Sequence, residues 1–220
     1  KEIAFKTNAG ALDGIPIGTA GQTLKVNSGA TGYEFGAVAG GDVVKLARVN
    51  QTSNTSALLI DGYFNDSIYH KYKLVCNHWK VGSQNSDNQP QFSLLVGGNT
   101  NTDSNTSWVL GESYLSSASA MTTRNSEDDT MVTQMQGTWQ AQAQQFDEQA
   151  FEIEIYRPQS TTDGKLGFWN LAYAQTSNGG IYVITQGMFY KKTASATSGF
   201  RFTGTGDTFT GDFVLYGYKK

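Results

Sequence analysis

Three residues within nine positions have side chains able to do chemistry: His70, Cys76 and His78, in "HKYKLVCNHW". A thiol between two imidazoles is the raw material of a metal centre or of a Cys–His nucleophile pair. A structural zinc site takes four ligands at defined spacing, and this chain has one cysteine and two histidines. The same stretch alternates, with Tyr72, Leu74, Cys76 and His78 on one side and Lys71, Lys73, Val75 and Asn77 on the other. That pattern makes Cys76 and His78 part of a core-lining strand face. The expectation is no metal, no cofactor and no nucleophile here.

Paired carboxylates are the next chemical possibility. Hydrolysis of a sugar polymer needs two of them roughly 5 to 9.5 Å apart. Glu152 and Glu154 share the face of "AFEIEIYR" opposite Phe151, Ile153 and Ile155, and Glu127, Asp128 and Asp129 form a second cluster. Alternating charge on an outward strand face keeps a half-buried strand soluble, and "SEDD" reads as a solvated loop. No catalytic residue is therefore expected. The loops "NTNTDSNTS" and "DGYFND" carry too few carboxylates for a dedicated calcium site. In "TGTGDTFTG" no Lys-Ser/Thr follows the glycines, which excludes a phosphate cradle and leaves hairpin chemistry. Of the four tryptophans, Trp108 follows a polar loop and is the candidate platform for a glycan, offering a flat apolar face beside hydrogen-bonding groups.

The elements that must position these residues are strands. From about Asp42 onward, runs rich in Val, Ile, Tyr, Phe and Thr alternate with clusters of Gly, Asn, Ser and Asp, the signature of an all-β sandwich or barrel. Strands are expected near 43–49, 57–64, 71–81, 91–96, 108–115, 131–139, 150–157, 166–175, 181–191, 199–203 and 209–218. The polar stretches "NQTSNTSA", "GGNTNTDSNTS" and "SSASAMTTRNSEDD" are expected as loops. About ten strands without helices give an antiparallel β-sandwich, jelly-roll-like, over residues 43–220.

Residues 1–42 do not join that pattern. Glycines recur every few residues, and Ile15, Ile17, Leu24, Val26, Tyr33 and Phe35 come in pairs spaced by two. A two-stranded ribbon buries too little surface to stand alone. It becomes stable if three chains wrap together, each apolar pair packing against its copies. Residues 1–42 thus read as a Gly-rich trimeric β neck with those six residues as trimer contacts.

The composition agrees. Only 16% of residues are charged, below the roughly 25% of an ordinary globular protein. A formal net charge of −3, with Lys and Arg scattered, leaves no electrostatic footprint for nucleic acid. One cysteine excludes an intrachain disulfide. No stretch nears the roughly 20 apolar residues of a membrane-spanning helix.

"GIPIGTAGQTLKVNSGATGYEFGA", with its "GTAGQ", Leu-x-Val strand and "SGATGYEFG", closely resembles a segment repeated in bacteriophage tail fibres and other phage virion fibres. "FRFTGTGDTFTGDFVLYGYKK" is similar to the closing strands of their β-sandwich tips, with Gly211, Phe213, Leu215, Tyr216 and Gly217 in the pattern. The resemblance covers about 45 residues at the two ends. It implies a homotrimeric protein of the virion surface, on the tail or decorating the capsid, joined to other virion proteins at its N-terminal end. The head then either contacts a host-surface carbohydrate or only decorates the particle. A lectin-like carbohydrate-binding module and, behind it, a capsular polysaccharide depolymerase are the alternatives. The chain starts at Lys1 and not Met, so a fragment, a processed product or the ordered part of something longer is expected.

Overall fold

The computed structural model describes residues 2–6, 12–16, 18–37, 41–82, 90–96, 99–100, 106–115, 121–129, 133–134, 146–175, 181–204 and 208–220. These contain strands, turns and no helix. The chain divides into two compact units, Lys1–Gly41 and Asp42–Lys220.

The first unit holds two antiparallel hairpins. β1 (Glu2–Lys6) pairs with β2 (Leu12–Pro16), and β3 (Gln22–Val26) pairs with β4 (Tyr33–Ala37). Asn27 builds the second turn: its amide N–H donates to Gly32 O at 2.9 Å and its Oδ1 accepts from the Thr31 amide at 3.0 Å. This loop holds Ala30 at φ 53°, a left-handed conformation unusual for a residue with a Cβ.

The second unit is an antiparallel sandwich of two sheets. The larger has the order β11 (Met121–Asp129), β10 (Thr106–Leu115), β15 (Ile181–Lys191), β14 (Lys165–Gln175), β13 (Phe146–Tyr156), β7 (Tyr69–Val81), β17 (Phe209–Lys219) and β5 (Val43–Thr55). The smaller has the order β12 (Thr133–Gln134), β8 (Pro90–Val96), β16 (Gly199–Gly204) and β6 (Ala57–Asp61), with β9 (Asn99–Thr100) also on β8. The all-β sandwich expectation holds; jelly-roll winding is not established by this order.

Alternation explains the core. Phe151, Ile153 and Ile155 of β13, Trp169 and Leu171 of β14, and Phe213 and Leu215 of β17 are buried on one sheet. Phe92 of β8 and Phe200 and Phe202 of β16 face them from the other, all at most 1% exposed. Rings meet between the sheets: Phe92 stands 6.3 Å from Trp169 and 5.1 Å from Phe189, and Phe202 stands 5.1 Å from Phe213. Buried aromatic side chains of this kind carry most of the hydrophobic stabilisation.

Three expectations are corrected. The stretch 50–55 continues β5, and 121–129 forms β11, although both read as loops. Both are edge strands of the larger sheet. An edge strand needs only one hydrogen-bonded neighbour, and polar side chains there keep it from pairing with other chains. The third correction concerns β7. Its ladder slips between Cys76 and His78 against β17. This bulge turns Asn77 outward, leaves His78 half-buried and sends Trp79 into the core instead. Cys76 and His78 therefore do not share a face. Of the expected strand over 131–139, Thr133–Gln134 is a strand and the remainder lies outside the described residues.

Candidate functional site

The residues with chemical potential lie apart or are already engaged. Cys76 is a buried free thiol whose Sγ donates to His78 O at 3.2 Å. Burial pushes its pKa up, so it stays a thiol, the unreactive form. His70 is exposed. Among the described residues, no group of three or more His, Cys, Asp or Glu is placed to hold a metal ion.

Glu152 and Glu154 do project outward together from β13, each facing a lysine of the adjacent β7. Lys71 Nζ lies 3.3 Å from Glu154, and Lys73 pairs with Glu152. Asn170 Nδ2 also donates to Glu152 at 3.0 Å. The hydrogen bond from Lys73 holds the Glu152 carboxyl below the usual range. A carboxyl kept ionised this way is the opposite of a proton donor tuned upward for glycosidic bond cleavage. Glu127, Asp128 and Asp129 fall at the end of edge strand β11.

Lys165, at 0% exposed, is a functional-looking residue that sequence reasoning passed over. Its ammonium donates to Ser160 O and, at 2.7 Å, to Asp163 O, and burial lowers its pKa. It pins the 157–164 connection, where Arg157 sits at φ 46°. Its hydrogen bonds are spent on the backbone, which makes the role structural.

The proposed neck contacts have a clear geometry in the second hairpin. Leu24 pairs across from Phe35, and Val26 from Tyr33, so the four share one face. Leu24 is 41%, Val26 57% and Tyr33 60% exposed. Phe35 is half-buried because its ring lies over Gly18, where a Cβ would come within 2.6 Å of it. The opposite face carries the ion pair Lys25–Glu34 at 3.3 Å. One ribbon therefore has a charged side and a side of large apolar groups left in solvent. Ile15 lies on β2 across from Ile3; Ile17 is outside the described residues. No protein-family model matches the chain, and no curated protein or solved structure matches it either.

A second surface was invisible in the sequence. The outward face of the larger sheet exposes Phe168, Ile184, Met188 and Tyr190 on β14 and β15. Trp108 stands on β10 next to β15, across from Phe189, but its side chain is outside the description. Beside these residues a trough of about 350 Å³ has Ala150 and Ala172 in its floor and Asn77, Glu152, Asn170 and Ile184 around it. The trough arises because two alanines are cross-strand partners, a coincidence of register that no local pattern announces.

Proposed function

We propose that this chain is a structural protein of a bacteriophage particle surface: a homotrimeric fibre on the tail or capsid, with residues 1–42 as its neck and a jelly-roll-type sandwich head. The observation that carries the reading is the face of Leu24, Val26, Tyr33 and Phe35, whose first three members are each over 40% exposed. A two-stranded ribbon that buries so little by itself is marginal at best, and three copies closing around an axis give each apolar face a partner. The resemblance of the same segment to phage fibre necks supports the assignment. The protein works by assembly and display, not by catalysis.

The hairpin itself can be tested. Leu24→Asp combined with Tyr33→Asp places two charges on the proposed threefold contact, where unpaired carboxylates are costly to bury. Sedimentation of the variant at micromolar concentration is expected to give a single chain where the parent gives three. An unchanged trimer would remove the hairpin from the interface.

A second reading is favoured by the outward aromatic groups of the larger sheet. They make the head a carbohydrate-contacting module, which is compatible with trimeric display.

A further inference from the structure

The geometry points to a binding site for a neutral glycan chain on the outer face of the larger sheet, running along β14 from the Ala150–Ala172 trough to Phe168. The inference rests on the carbohydrate-contacting reading of the head.

The trough is bounded on the open sheet face by three polar side chains: one carboxylate already paired with a lysine, and two neutral amides. Glu152 is paired with Lys73. Asn77 Nδ2 donates to Asp212 at 3.2 Å, and Asp212 is itself held by Arg48 in a two-point contact at 3.0 and 3.1 Å. No lining residue is a cation, so an anionic ligand gains nothing here. The amide oxygens of Asn77 and Asn170 receive no hydrogen bond from described residues, while each Nδ2 has spent one hydrogen on a carboxylate. An exposed amide with an accepting oxygen and one remaining N–H matches hydroxyls, which donate and accept at once. The floor of Ala150 and Ala172, flanked by Val75 and Ile184, suits the C–H face of a sugar ring.

An extended peptide fits poorly. β14 is hydrogen-bonded to β13 on one side and β15 on the other, so no backbone group is free to add a strand. The occupant must be recognised by side chains alone. Ala172, Asn170 and Phe168 follow one another on the same face, and Phe168 is 41% exposed. Ala172 and Phe168 are about 13 Å apart along an extended strand, longer than one sugar ring. A small floor, a polar step and an aromatic platform in line therefore suit a short run of linked rings, with Phe168 stacking on the last.

The test is calorimetric titration of the full chain with glucose, galactose, mannose, N-acetylglucosamine and their short oligomers. The expected result is saturable binding of at least one oligomer, tighter than its monomer. Ala172→Phe, which fills the trough, and Phe168→Ala, which removes the platform, should each weaken it at least tenfold. Both positions are exposed, and an unchanged melting temperature certifies the fold. Saturable binding that survives both variants overturns the trough and leaves the carbohydrate reading standing. Absence of saturable binding across the panel overturns both, while a trimeric mass would still uphold the fibre. A change of assembly mass in Ala172→Phe overturns the site as well, because the face would then be a contact between copies.

Discussion

Phe202→Ala is expected to lower the stability of the sandwich by about 3–5 kcal/mol, the usual cost of emptying a buried phenylalanine site. Phe202 is 0% exposed and lies between the sheets. Its ring centroid is 5.1 Å from Phe213, 5.8 Å from Phe151 and 6.0 Å from Phe200. The neighbours are rings in β-strands, held by their own ladders, so they cannot collapse far into the space. At about 2–4 °C per kcal/mol for a domain of this size, the melting temperature should fall by roughly 10 °C. Leu59→Ala on β6 is the control, since Leu59 is 52% exposed and should change stability by less than about 0.5 kcal/mol. Thermal unfolding followed by circular dichroism reads both. Equal small shifts would mean that the two sheets do not share this core.

Gly187→Val should be damaging for a different reason. Gly187 on β15 is the cross-strand partner of Trp169 on β14. A Cβ at Gly187 would come within 2.0 Å of the Trp169 indole. Trp169 is 1% exposed and lies against Phe92, so the ring has nowhere to go. The neighbouring inward pair repeats the device in mirror order: Phe189 of β15 covers Gly167 of β14. Each glycine leaves the space that the large ring opposite occupies. Overpacking of this kind costs about 1–3 kcal/mol or more. The diagnostic is the double variant: with Trp169→Ala already present, Gly187→Val should cost much less, a coupling that stability measurements on the four-member cycle reveal. Strict additivity would show that the glycine serves the backbone and not the ring.

Both predictions concern features that were only partly legible in the sequence. The inward rows of β13 and β16 could be read directly, because Phe151, Ile153 and Ile155, like Phe200 and Phe202, alternate with polar residues and are buried as that spacing requires. The bulge in β7 could not. Apolar side chains at 74, 76 and 79 break a period of two, and a single extra residue is seen only once the partner strand is known. Strand β11, "MTTRNSEDD", was missed because an edge strand with a polar face carries no alternation to detect. Similarly, the polar run 50–55 hides the second half of β5.

The functional surfaces divide in the same way. The hairpin face was legible because a spacing of two puts Leu24 with Val26 and Tyr33 with Phe35 on one side of any strand. The register adds that the two pairs lie opposite each other. The trough was not legible. Ala150 and Ala172 are 22 positions apart, and only the pairing of β13 with β14 makes them neighbours.

The central claim is that residues 1–42 draw three chains together, and the molar mass in solution tests it most directly. Light scattering on residues 1–220, beside a chain beginning at Asp42, is predicted to give three times 23.9 kDa for the former and a single chain for the latter. A full-length chain that elutes as a monodisperse monomer at micromolar concentration would contradict the account.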